Sequence, residues 1–163
     1  MTELNDRQEI AAVLNQYFFA LDSRRPELMN PVFTSTATYE FASDDDRQGP
    51  QPIGSFLSTW LDGMECFAHS SHSMSNMHVA LDGDRAASEL HAVVHLVDRH
   101  AAPGQVIIRG IHYRDQFLRT PDGWKIDRRR HRLLWLCVVP ETVGDQLVQG
   151  RIAEVAKRSP NSE

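Results

Sequence analysis

The C-terminal half of the chain repeats a strand-and-turn pattern, and this pattern constrains the fold more than any other feature. Met77, Val79 and Leu81 alternate with polar or small residues, as in a strand with one buried face. Three more long segments of strand-like sequence follow, at residues 86–98, 106–119 and 124–139. Short turn signals, such as the Asp-Gly-Asp run at 82–84, separate these segments. Strands joined this closely are expected to pair with their chain neighbours in an antiparallel meander.

The N-terminal third shows helical spacing instead. Asn5 or Asp6 is expected to cap a first helix that ends near Ser23, and Pro26 is expected to start a short second one. The first helix has one apolar stripe, made of Ile10, Val13, Leu14, Tyr17, Phe18 and Leu21. A strand over 34–41, a loop over 43–52 and a third helix over 53–67 follow.

Helices followed by a sheet predict a single α+β domain, in which a strongly curved mixed or antiparallel sheet wraps around the N-terminal helices. The expected core spans about residues 5–140, and a closing helix is expected over about 144–157. A bent sheet of this kind leaves a cavity at its open end, where a small molecule would bind.

Composition narrows the possible partners. The chain has 163 residues, 41% hydrophobic content and a net charge of −5, which suits one globular domain and argues against nucleic-acid binding. The basic run at 128–132 is expected to be a strand with solvated arginines on one face. No apolar run is long enough for a membrane span. Residues 1–9 are too polar for a signal peptide, so Cys66 and Cys137 are expected to be free thiols in a cytoplasmic protein.

Two residues carry the main functional hypothesis. His72 stands where helical sequence gives way to strand-like sequence, and Asp22 stands at the end of the first helix. If the two side chains meet inside one domain, they form a general base with its orienting carboxylate. The alternatives are that Asp22 is a solvated helix-end residue and that His72 is an exposed loop histidine.

Several motifs occur in an order that resembles the SnoaL-like branch of the NTF2-like superfamily. They are the helix ending in Asp22, the run 72–76 (HSMSN), the turn 82–84, the segment 110–115 (GIHYRD) and the segment 122–126 (DGWKI). The resemblance covers roughly residues 5–140. This branch includes scytalone dehydratase, bile-acid 7α-dehydratase and hexachlorocyclohexane dehydrochlorinase, together with cyclases and subunits that have no activity of their own.

The resemblance implies a cone-shaped α+β barrel that needs no metal and no organic cofactor. It places Asp22 and His72 at the positions of the family's catalytic pair. It also matches Tyr17 and Arg129 to pocket residues that contact the substrate. Without the resemblance, Tyr17 would be a core aromatic residue and Arg129 would be expected at the surface.

Further residues are predicted to contact a substrate. Asn76 shares the register of His72 and is expected to orient the substrate, and Trp60 and His131 are candidate contacts. His91 and His95 suggest a metal site, but four residues of a strand span about 13 Å, which is too far for two ligands of one ion. One of them is expected to face the cavity instead.

The strand register raises a difficulty for His72. Met77, Val79 and Leu81 predict that odd positions are buried, whereas His72 is even. A β-bulge between them, or a sheet covered on both faces, would resolve the conflict.

The sequence therefore predicts a cofactor-independent lyase or isomerase that acts on a small apolar molecule, with aromatic and polycyclic compounds as candidate substrates. One alternative is a non-catalytic binding domain. Another is a hydrolase, which would need a second carboxylate, for which Asp115 is the nearest candidate. The apolar residues Trp135, Leu136, Val138 and Val139 predict a homodimer or homotrimer.

Overall fold

A six-stranded sheet and two α-helices make up the computed structural model, which describes residues 2–42, 49–98, 100–101 and 104–141. The helices are α1 (Glu3–Ser23) and α2 (Ile53–Met64), and a short 3-10 helix (Pro26–Met29) follows α1. The strands are β1 (Phe33–Ala42), β2 (Gln51–Pro52), β3 (His69–Asp82), β4 (Arg85–Asp98), β5 (Gln105–Thr120) and β6 (Gly123–Pro140). The predicted helix over 144–157 lies outside the described residues.

The sheet has the order β2-β1-β6-β5-β4-β3. Strands β3 to β6 form the predicted antiparallel meander, and β1 pairs with β6 in parallel. The sheet is curved but open, because β2 and β3 have no strand partner on their outer sides among the described residues. The predicted α+β class is confirmed. The prediction of a loop over 43–52 is wrong at Gln51 and Pro52, because these two residues form β2 and pair with β1.

Helix α1 begins earlier than predicted. Thr2 caps it by accepting a hydrogen bond from the backbone N–H of Asn5, so neither Asn5 nor Asp6 is the cap. The Asp6 carboxylate instead accepts a hydrogen bond from Trp124 Nε1 at 3.1 Å and pairs with Arg119 at 2.7 Å. The first turn of α1 is thereby attached to β5 and β6.

The apolar stripe of α1 lies on the concave face of the sheet, as its spacing predicts. The buried core includes Ile10, Leu14, Tyr17, Phe18 and Leu21 from the helix together with Leu90, Val94, Phe117 and Ile126 from the sheet. Helix α2 ends at Met64, three residues before the predicted boundary. It covers β1, where Phe56 stacks on Tyr39 at a centroid distance of 3.9 Å.

A β-bulge at Asn76 resolves the register conflict on β3. Ser75 pairs with His91 and His78 pairs with Glu89, so two residues of β3 stand opposite Leu90. Asn76 takes a left-handed conformation (φ 52°), which asparagine tolerates better than most residues. The inward-facing side therefore changes from even positions, including His72, to odd positions, including Val79.

Substitutions at Asn76 test this role of the bulge. We expect Asn76→Val to lower the free energy of unfolding by about 1–3 kcal/mol, because a β-branched residue is strained at positive φ. Asn76→Gly should change it by less than about 0.5 kcal/mol. Urea denaturation of both variants measures the difference, and equal stability of the two variants would contradict the assigned conformation.

Candidate functional site

A cavity of about 390 Å³ opens between α1, α2 and the concave face of the sheet. This volume is typical of sites for small molecules. Most of its wall is apolar and includes Leu21, Phe41, Phe56, Met64, Phe67, Val94, Leu96 and Ile111. The residues of the wall that carry polar groups include Tyr17, Tyr39, Tyr113, His72, His131 and Arg109.

Asp22 and His72 meet at the edge of this cavity. His72 Nδ1 lies 2.6 Å from Asp22 Oδ1, and the His72 backbone N–H donates to Asp22 Oδ2 at 2.8 Å. The Ser70 hydroxyl donates to the same carboxylate at 2.9 Å. The Phe18 ring stacks on the imidazole at a centroid distance of 5.5 Å. These contacts fix both the position and the orientation of the His72 ring.

The charge on Asp22 determines which nitrogen of His72 carries the proton. Burial raises the pKa of Asp22, but the hydrogen bonds from His72 and Ser70 outweigh it and leave the pKa below its usual value. The carboxylate is therefore ionised at neutral pH and accepts a hydrogen bond from Nδ1–H. In the neutral ring, Nε2 then carries the lone pair, and it has no hydrogen-bond partner among the described residues.

Three buried tyrosines form the wall beside His72. Tyr17, Tyr39 and Tyr113 are at most 2% exposed, and burial raises the pKa of each hydroxyl. The hydroxyls therefore remain protonated over the physiological pH range and can act as hydrogen-bond donors.

Arg129 lies behind this wall and not on the cavity surface. It is fully buried, and its Nε and Nη2 donate to Asp115 at 2.7 and 2.8 Å. Its guanidinium group lies over the ring of Tyr17 at 3.9 Å and over that of Tyr113 at 4.7 Å. Arg129 therefore lies neither at the surface, as its composition predicts, nor in the cavity lining, as the resemblance implies, but one layer deeper.

His131 lines the cavity among aromatic rings. It lies 4.9 Å from Phe41 and 5.2 Å from Tyr113, measured between ring centroids. Burial, reinforced by the positive charges of Arg129 and Arg109, lowers the pKa of His131 to about 4. The ring is therefore neutral at pH 7 and offers the cavity a polar group without charge.

The other predicted contacts are placed elsewhere. Asn76 is exposed at the bulge, where it changes the strand register and does not line the cavity. His91 and His95 are corrected as well: buried residues alternate with them on β4, so both lie on the outer face, where His91 stacks on His112 at 4.8 Å. The side chain of Trp60 lies outside what the structure describes.

Together with Tyr39 and Tyr113, Arg109 is a polar cavity residue that the sequence analysis missed. It belongs to an alternating run on β5 in which Arg109, Ile111 and Tyr113 all face inward. A charged residue in phase with buried apolar ones is the signal that would have identified it.

The described residues include neither a metal-binding cluster nor a membrane-spanning helix. They contain no group of three or more His, Cys, Asp or Glu side chains placed to hold a metal ion. No helix within the described ranges has the length and hydropathy of a membrane span. Cys66 and Cys137 are both free.

The fold and the cavity define an α+β protein whose curved sheet encloses an apolar site with a His–Asp pair at its edge. Residues 2–130 match the model of the SnoaL-like domain, and the chain belongs to this family. Uncharacterized proteins of Mycobacterium tuberculosis and Mycobacterium bovis are 36% identical over 133 residues, which cover 79% of this chain and 86% of each relative.

Solved structures confirm the NTF2-like fold that the sequence resemblance implies. The Kfla4162 protein of Kribbella flavida has a TM-score of 0.76 at 20% identity, covering 83% of this chain and 95% of its own. A protein of Novosphingobium aromaticivorans provisionally named scytalone dehydratase has a TM-score of 0.71 at 18% identity, covering 83% and 88%. A hexachlorocyclohexane dehydrochlorinase of Novosphingobium barchaimii has a TM-score of 0.69 at 13% identity, covering 84% and 92%.

The neutral state of His131 predicts a pH dependence of stability. The unfolded chain takes up a proton near pH 6.5 and the folded chain only near pH 4, so folding stability should fall as pH decreases through this window. The shift in the pKa of His131 changes the free energy of unfolding by at most about 3 kcal/mol across this window. His131→Phe should remove it, giving a flatter pH profile in urea denaturation. The matched control is His78→Phe, at an exposed position of β3, and parallel profiles for His131→Phe and the unmodified protein would contradict the prediction.

Proposed function

We propose that this protein is a cofactor-independent lyase or isomerase that starts its reaction by removing a proton from carbon. The observation that carries the proposal is the 2.6 Å contact between Asp22 and His72 at the edge of an apolar cavity. A neutral imidazole with an ionised carboxylate on its second nitrogen is a suitable base near pH 7.

In an elimination, His72 Nε2 takes a proton from a C–H bond of the substrate. The electron pair of that bond forms a carbon–carbon double bond, and the leaving group departs with the electron pair of its own bond. Asp22 stabilises the imidazolium that results. In an isomerisation, the imidazolium returns the proton to a different carbon, and no group leaves.

Tyr17 is the proposed hydrogen-bond donor to a carbonyl or to a leaving oxygen. Tyr17 lines the cavity, and its hydroxyl stays protonated because burial raises its pKa, although the Arg129 cation partly opposes this shift. Arg129 acts through the tyrosine rings that it covers, as a positioning residue behind the wall.

The apolar wall favours a small substrate with a largely hydrophobic, aromatic or polycyclic body. Phe41 and Phe56 present aromatic rings to the cavity, and the polar groups are few. The structural neighbours named as a dehydratase and a dehydrochlorinase support elimination over other chemistries, since both names describe the loss of a small group from carbon.

The alternatives fit less well. A hydrolase would need a second carboxylate in the cavity, but Asp115 is buried in its ion pair with Arg129 and does not line it. A non-catalytic binding domain predicts a plugged cavity or a His72 that does not contact Asp22. The open cavity and the 2.6 Å contact favour the enzyme.

The proposal is tested by measuring proton exchange. Candidate ligands are selected by thermal shift, and their exchange of carbon-bound hydrogen in D₂O is followed by NMR. We expect His72→Ala to slow exchange by about 10²–10⁴-fold, which is the usual contribution of a positioned base. Asp22→Asn should slow exchange by at least about 10²-fold, because the amide favours the wrong tautomer of the His72 ring and cannot stabilise the imidazolium.

Two exposed positions provide matched controls. His78→Ala on β3 and Asp122→Asn in the β5–β6 turn should leave exchange unchanged. Circular dichroism confirms that each variant is folded. Exchange that persists in both His72→Ala and Asp22→Asn would rule out the proposed mechanism.

We also propose that the protein forms a homodimer or homotrimer through the far end of β6. The pairing of β1 with β6 ends at Arg132, so one edge of β6 beyond this point has no strand partner among the described residues. Both faces of this segment are apolar and exposed, with Leu133, Leu134, Trp135, Leu136, Val138 and Val139 between 39% and 48% accessible. A second copy of the chain would bury this surface.

Light scattering tests the oligomer directly. The unmodified protein should have the mass of a dimer or trimer, and Leu136→Asp should shift the mass towards that of a monomer. Phe19→Asp, at an exposed apolar position on α1, is the control and should leave the mass unchanged. A monomeric mass for the unmodified protein would exclude this assembly.

The two free thiols, Cys66 and Cys137, fit a reducing compartment, and we propose the cytoplasm.

A further inference from the structure

Arg109 is a cation in the wall of an otherwise apolar cavity. Its Nε is buried and has no hydrogen-bond partner within the described part of the chain. A buried donor without an acceptor costs free energy, and the cost is larger for a charged group. A bound anion that accepted from this nitrogen would remove the cost.

The position of Arg109 relative to His72 follows from the strand register. His72 pairs with Val94, and Val94 pairs with Arg109, so the three residues form one row across β3, β4 and β5. All three side chains line the cavity. Adjacent strands lie about 4.8 Å apart, so the Cα atoms of His72 and Arg109 are roughly 10 Å apart, with only the short Val94 side chain between them.

His131 supplies a second polar group in the wall of the same cavity. The Arg109 cation contributes to the lowered pKa of His131, and the imidazole is therefore neutral at pH 7. A neutral imidazole can donate a hydrogen bond to an anion without adding charge to the cavity.

We propose that Arg109 binds a carboxylate of the substrate, so that the substrate is an apolar ring-bearing acid held with its carboxylate at Arg109 and its reacting C–H bond at His72. This inference rests on the proposed function and adds the substrate class and the residue that selects it.

A carboxylate fits the available donors. The guanidinium edge that presents Nε and one Nη offers two parallel N–H groups, which match the two oxygens of a carboxylate. The chain already contains this arrangement, since Arg129 binds Asp115 through Nε and Nη2 at 2.7 and 2.8 Å. Arg129 Nη1 is also buried without a partner among the described residues, but Arg129 is fully buried and does not line the cavity, whereas Arg109 does.

The experiment compares acids with their neutral amides. The probes are benzoate, 2-naphthoate and cyclohexanecarboxylate, each with the corresponding carboxamide, and binding to the full-length protein is measured by calorimetry at pH 7. We expect at least one acid to bind about tenfold or more tightly than its amide, as for a charge-assisted pair of hydrogen bonds. Arg109→Gln should abolish this preference and change amide binding by less than about threefold.

Arg114→Gln is the matched control, since Arg114 is an exposed arginine on the outer face of the same strand. It should leave the preference for acids intact, whereas Arg109→Lys should keep part of it. Circular dichroism and the retained amide binding show that Arg109→Gln is folded. Equal binding of acids and amides, no detectable binding of any acid at millimolar concentration, or a preference that survives Arg109→Gln would each overturn the proposal.

The test also separates this inference from the proposed function. His72→Ala should slow proton exchange by about 10²–10⁴-fold but retain the preference for acids, because Arg109 is unchanged. Exchange that depends on His72 without any preference for acids would support the base and reject the carboxylate site. A preference for acids without exchange would support the carboxylate site and reject the base.

Discussion

The Asp22 carboxylate connects the helical layer to the sheet, and the geometry of the site depends on this connection. It accepts two hydrogen bonds from His72 and one from Ser70, all on the first residues of β3. A carboxylate in the last turn of a helix faces the negative end of the helix dipole, and α1 has no basic residue in that turn. Asp22 is therefore unfavourable for the helix alone, and β3 supplies the donors that compensate. Functional positions often hold a residue that is unfavourable in its own helix or strand and is stabilised only by hydrogen bonds from a distant element.

The elements themselves could be predicted because local patterns determine them. Apolar residues recur with a period near 3.6 in α1 and with a period of two in β4. Each pattern predicts which side chains of the element are buried. The bulge at Asn76 was one of two solutions to a conflict of register, and the sequence could not choose between them. The bulge is defined by how Ser75 and His78 pair with β4. This pairing is a contact between two strands, and the local sequence of β3 does not determine it. The phase of His91 and His95 on β4 is opposite to that of the buried residues, so local alternation alone already predicts the outer face for both.

Arg129 shows why the layer behind the site could not be predicted in the same way. Four of the five residues in the run 128–132 are arginines, and composition favours solvent for all of them. Burial of Arg129 depends on Asp115, which stands opposite it on β5 and is equally buried. Replacing either partner alone would leave an uncompensated charge beneath Tyr17 and Tyr113, at a cost of about 3–5 kcal/mol. The tyrosine wall of the cavity is therefore supported by an ion pair that depends on strand register.

The two cavity histidines differ in one respect that separates their roles. Each lines the cavity, but His72 is bonded to an ionised carboxylate, whereas His131 faces Arg129 and Arg109 without a carboxylate partner among the described residues. Asp22 would stabilise a proton taken up by His72 during turnover, whereas the two cations would destabilise a proton on His131. His131 is consequently suited to be a neutral contact and His72 to be the base. A substrate carboxylate at Arg109 would partly neutralise one of the cations that face His131, so ligand binding and the protonation of His131 should be coupled.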